Sequence, residues 1–123
     1  MTVLKSERDL VAKLTPLGRL EYIGEHVPES LVAGILATNG GDYCVVGWLA
    51  ALDAVPKSAY MNRSLLHGSW PSVLAAYYNI SSSDLFELMS ANDVAPSEKR
   101  HAVVVGHLKA LYQAHHSDEE QTQ

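Results

Sequence analysis

Apolar positions crowd most densely between Val45 and Leu52, where Val45, Val46, Trp48, Leu49 and Leu52 leave almost no polar face. A helix of that pattern belongs where core surrounds it on every side. Asn39-Gly40-Gly41, just before it, tolerates positive φ, and Asp42 can cap a helix that begins within a residue or two of Cys44. Val55-Pro56 ends it, because the residue before a proline is pushed out of the α region. A central helix over 44–54 is therefore the element around which the other patterns arrange themselves.

Upstream, Ser6-Glu7-Arg8-Asp9 has the form of a capping box, with Leu10, Val11 and Leu14 following at helical spacing. Thr15-Pro16 interrupts that helix, and Pro16 suits the first position of a second one carrying Leu17, Leu20 and Ile23. Gly24 and His26-Val27-Pro28 mark a loop. The run 30–38 suits a buried strand or a buried helical segment, and the Asn39-Gly40 dipeptide favours a strand that turns back. On that reading 32–37 forms a small β-hairpin with the residues around Tyr43.

Downstream, 57–68 lacks periodicity and reads as a loop anchored by Tyr60 and Met61. Ser69 can cap a helix with Pro71 in its first turn, Val73, Leu74, Tyr77 and Tyr78 on one side, and Asn79 as its stop. Ser81-Ser82-Ser83 offers caps for another helix over 84–91, with Leu85, Phe86, Leu88 and Met89 inward and Asn92-Asp93 closing it. Pro96-Ser97 opens the last helix, 97–115, whose stripe of Val104, Val105, Leu108, Leu111 and Tyr112 is expected to pack on the central helix. The fold class is mainly α, formally α+β through the one hairpin. It forms a helical bundle in a single globular domain over 1–116, followed by a disordered acidic tail over 117–123.

Composition narrows the functional classes. The chain has 123 residues, 47% of them hydrophobic and 19% charged, as expected for a globular domain able to build its own core. A net charge of −5 gives no global attraction to nucleic acid or anionic lipid. One cysteine permits neither an internal disulfide nor a Cys-x-x-Cys pair and points to a reducing compartment. The first thirteen positions carry five charged residues and lack the apolar stretch of a signal peptide. The longest uncharged stretch, 64–83, is broken by Gly68, Pro71 and six serines, too polar to span a membrane. A cytoplasmic location is expected.

Cys44 is the sharpest chemical feature, since a thiolate at a helix N-terminus is stabilised by free amides and the helix dipole. A cysteine-dependent enzyme would pair it with a base from His67, His101 or His107, none of which sits in a recognisable signature. The competing reading, a small buried apolar residue beside Val45 and Val46, carries more weight. The six histidines include no pair at the i, i+4 spacing that places two imidazoles on one metal, so neither metal nor cofactor is expected. His101, Leu108 and His115 recur every seven positions, as at the edge of a packing seam.

The stretch 73–89 has the rhythm of a helix-turn-helix. However, its reading positions would be Ser83, Asp84 and Glu87, and 79–97 contains no lysine or arginine. Acidic groups against phosphate argue for a plain helical hairpin over a DNA-binding regulator. Trp70, Tyr77 and Tyr78 are more aromatic surface than one short helix needs for its own core, and they are the candidate contacts for a protein partner, a second copy included.

A Gly turn, the Cys44-x-x-Gly47 start of a helix, and Asn92-Asp93 after a later helix with a final helix behind it resemble a family of short uncharacterised proteins from bacteria and their phages. The resemblance spans about residues 32–112. It departs at Trp48, where that family has alanine, and at Ala91, where it has tryptophan. It implies a small α-rich fold with a short hairpin and carries no activity. The function expected is that of a small intracellular, non-enzymatic interaction protein, such as a phage accessory protein binding a host protein or itself.

Overall fold

The computed structural model describes residues 3–53, 57–63 and 68–121. Among them lie seven helices: α1 (Lys5–Ala12), α2 (Pro16–Glu25), α3 (Val45–Leu52), α4 (Lys57–Tyr60), α5 (Trp70–Tyr77), α6 (Ser82–Val94) and α7 (Arg100–Gln121). Every residue of α3 is buried, as its unbroken apolar run requires. Trp48 is only 2% exposed.

α3 packs against α1, α4 and α6, while α7 lies along α2 and α6. The expected seat of the last helix on the central one is thus corrected. Val104 and Leu108 are fully buried, and their stripe faces α2, where Gly24 lies against it: a β-carbon there would make ordinary contact with Leu108 Cβ at 3.8 Å. Gly24 therefore lies inside α2 as a packing residue, and the loop begins only at His26.

Local chemistry sets most boundaries. Thr15 Oγ1 accepts the Gly18 N–H at 3.1 Å with Pro16 at the first helical position of α2. Ser81 and Asp84 form a reciprocal capping box at 3.0 Å in each direction, opening α6. The box expected at Ser6 and Asp9 does not form. α1 starts at Lys5, behind an uncapped Leu4, and Asp9 instead pairs with Lys5 one turn back at 3.3 Å. Ser69 precedes α5 without a side-chain cap. α6 runs on through Asn92 and Asp93 to Val94. The expected stop of α3 at Val55-Pro56 lies outside the described residues; α3 ends at Leu52.

No β-hairpin is seen among the described residues. Leu31 and Ala37 both bridge the single residue Tyr43, one in parallel and one in antiparallel sense. The chain between them bulges out through Gly34 at φ +79, where an extended strand cannot continue. Asn39-Gly40 does make a turn, with Gly41 N–H donating to the Thr38 carbonyl at 3.2 Å. It therefore returns the chain to one pairing rather than to a ladder.

Candidate functional site

The chemistry-bearing residues converge at the N-terminus of α3. Cys44, not Asp42, is its capping residue: Sγ accepts the Gly47 N–H at 3.4 Å. The Cys44 N–H donates to the Leu36 carbonyl at 3.0 Å. A β-carbon on Gly47 would fall inside the van der Waals radius of that same Leu36 oxygen, so the Cys-x-x-Gly spacing combines a cap with a close backbone approach.

The next free amide of α3, Val45 N–H, donates to Asn92 Oδ1 at 3.1 Å. Asn92 is fully buried. Its Nδ2 donates to the Val32 carbonyl at 2.8 Å and to Asp93 Oδ1 at 3.0 Å. Asp93 Oδ1 also accepts the Gly34 N–H at 3.1 Å. Arg100, in the first turn of α7, donates from all three of its nitrogens: Nε to the Asn92 carbonyl at 2.8 Å, Nη2 to Ala95 at 3.0 Å and Nη1 to Leu31 at 3.2 Å. One polar cluster thus joins the 31–36 loop, the start of α3, the end of α6 and the start of α7. It answers the demand that buried backbone groups find partners.

Burial pushes the Cys44 thiol up from 9.0 to about 11, overcoming the lowering effect of the nearby amides, while the Asp93 carboxylate adds to the rise. At 1% exposure with its proton firmly held, this sulfur meets neither condition of a nucleophile, access or thiolate character. Among the described residues no histidine is one of the groups acting on it. His101 is engaged elsewhere, its Nε2 lying 3.1 Å from the Val27 carbonyl, which fixes the ring proton on that nitrogen. His107 is half-buried on α7, and His67 lies outside the described residues. His101 and His115, both half-buried, flank the buried Leu108, giving the seam edge read from their spacing. Among the described residues no three His, Cys, Asp or Glu side chains are grouped to hold a metal ion.

The helical hairpin of α5 and α6 forms, but Asp84 is occupied by the capping box while Ser83 and Glu87 stand exposed. Phe86, expected inward, is 48% exposed, because the extended α6 directs Leu85, Leu88 and Asn92 to the core and turns 86 away from it.

The three aromatic candidates separate. Tyr78 is fully buried, its hydroxyl without a hydrogen-bond partner among the described residues and its ionisation pushed well up by burial. It is therefore core and no partner contact. Trp70 and Tyr77 are half-buried. Arg19 stacks over the Tyr77 ring at 3.8 Å and donates to the carbonyls of Val11, Ala12 and Tyr77 at 3.0–3.1 Å.

Fold and site together define a small, mainly helical domain whose internal polar cluster fastens helices to one another. The chain matches no family model, no curated protein and no solved structure. No helix among the described residues is long and apolar enough to cross a membrane.

Proposed function

We propose that this protein is a small non-enzymatic interaction protein, of the kind a phage uses as an accessory factor, which binds a host protein or a second copy of itself through α5. The observation that carries this reading is one side of that helix, where Trp70, Val73 and Tyr77 recur at i, i+3 and i+7. The two aromatics are half-buried and Val73 is 62% exposed. Large apolar groups held at the surface on a short, rigid element present area to a partner at little entropic cost. The residues that carry the likeness to short bacterial and phage proteins, Cys44, Gly47, Asn92 and Asp93, meet at one point in this fold.

A cysteine-enzyme reading is disfavoured by the burial and raised ionisation of Cys44. A DNA-binding reading is disfavoured by α6, which carries no lysine or arginine and exposes Glu87. The test is capture of partners from the protein's own cellular context with Val73→Asp and Trp70→Ala beside wild type. Both variants should lose the captured protein while keeping their helicity, and Val73→Asp should keep its melting midpoint as well. Undiminished capture by both would exclude the α5 face.

A further inference from the structure

We propose that Asn39 is a site of spontaneous deamidation, in which the Gly40 backbone nitrogen attacks the Asn39 side-chain carbonyl carbon. Four observations converge there. Asn39 and Gly40 occupy the two central positions of the turn closed by Gly41 N–H and the Thr38 carbonyl, and both are exposed to water. The amides on either side are engaged, Thr38 N–H with Asp42 O and Asp42 N–H with Thr38 Oγ1, whereas Gly40 N–H makes no hydrogen bond among the described residues. Glycine carries no β-carbon to shield that nitrogen, and the space where one would stand holds only Thr38 Oγ1, 3.8 Å away. Asn62 Nδ2 donates to Asn39 Oδ1 at 2.9 Å, drawing electron density toward the oxygen and leaving the carbon more open to attack.

The other asparagines are protected on the same criteria. Asn92 is fully buried with both ends of its amide hydrogen-bonded. Asn62 and Asn79 precede Arg63 and Ile80, whose amides are bonded to Tyr60 and Ala75.

In the step, a water-derived base takes the Gly40 amide proton, the N–Cγ bond forms, the Cγ–Nδ2 bond breaks and ammonia leaves. Water then opens the resulting five-membered imide. Hydrolysis at the side-chain carbonyl yields aspartate, and hydrolysis at the main-chain carbonyl yields isoaspartate. Either product adds a negative charge. The second inserts a methylene into the main chain between Ala37 and Tyr43, the residues whose pairing holds the loop leading into Cys44. Ageing at Asn39 therefore acts on the approach to the central helix.

The test is peptide mass mapping of folded protein held at mildly alkaline pH until a denatured sample has converted. The expected result is a gain of about one mass unit confined to the peptide containing Asn39, with aspartyl and isoaspartyl forms separable by chromatography, and severalfold slower conversion in Gly40→Ala. That variant has room for its methyl group and keeps the fold. Asn39 remaining unmodified in the folded protein, or Gly40→Ala converting at the wild-type rate, would overturn the proposal.

Discussion

Cys44 caps a helix with sulfur, and its burial there costs it reactivity. Its ionisation lies near 11 in the folded chain against 9.0 for an unperturbed thiol, so between those values the unfolded chain binds fewer protons than the folded one. Stability linked to this group is complete below about pH 9 and is lost as pH rises toward 11, by about 2–3 kcal/mol in all. Urea unfolding at pH 8 and at pH 10.5 should show about two thirds of that loss in wild type and a smaller change in Cys44→Ala, the residual slope arising from buried tyrosines such as Tyr78. Equal slopes in the two proteins would remove the thiol from the account. Below pH 9 the same substitution should cost only about 1 kcal/mol. Trp48 makes the opposite case: 2% exposed on a helix buried on all sides, it should cost about 3–5 kcal/mol when truncated to alanine, read as a large fall in melting midpoint.

Helices here are joined by polar side chains as much as by apolar stripes. Asn92→Ala strands the Val45 amide and the Val32 carbonyl in the interior and should cost roughly 3 kcal/mol. Gly47→Ala drives a methyl group into the Leu36 carbonyl and should cost about as much. Arg100→Lys should not rescue Arg100→Ala, since an ammonium cannot reach three divergent carbonyls at once. Denaturant midpoints for the set check all three, and a fully stable Asn92→Ala would deny the cluster its fastening role. What was legible in the sequence follows from range. Period and capping signals placed α2, α3, α5 and α6, because Thr15-Pro16, the run from Val45 to Leu52 and the serines at 81–83 act within one or two turns. Asn39-Gly40 suggests a hairpin because it specifies a turn, without specifying that Gly34 breaks the strand before it. The sequence points to Asp42 rather than Cys44 as the cap because oxygen is the commoner acceptor. Asn92 and Asp93 read as a helix stop, yet both lie inside α6, Asn92 buried and Asp93 half-buried, held to partners 47 and 59 positions away in sequence. Arg19 and Arg100 give no local signal at all, since each serves carbonyls of helix ends, and for Arg100 also of the 31–36 loop, brought together only by the fold.

For the molecule as a whole, α7 resting on α2 and α6 closes the interior around α3 and leaves α5 with an apolar edge outside. The aromatic surplus of α5 was visible in the sequence. Which rings stay outside was not, because Tyr78 follows the last residue of α5 and turns inward where Asn79 adopts φ +55. If the partner is a second copy, light scattering at micromolar concentration should give a mass above 13.4 kDa, lowered by Val73→Asp without loss of helicity. A two-fold dimer is the simplest closed form of such a contact. On the proposed reading the protein works by presenting a surface and not by chemistry at Cys44. That reading is tested most directly by parallel affinity capture with wild type, Cys44→Ala and Val73→Asp, each first shown to be folded. The account predicts that Cys44→Ala retains the partner and Val73→Asp loses it; loss by Cys44→Ala with full retention by Val73→Asp would contradict it.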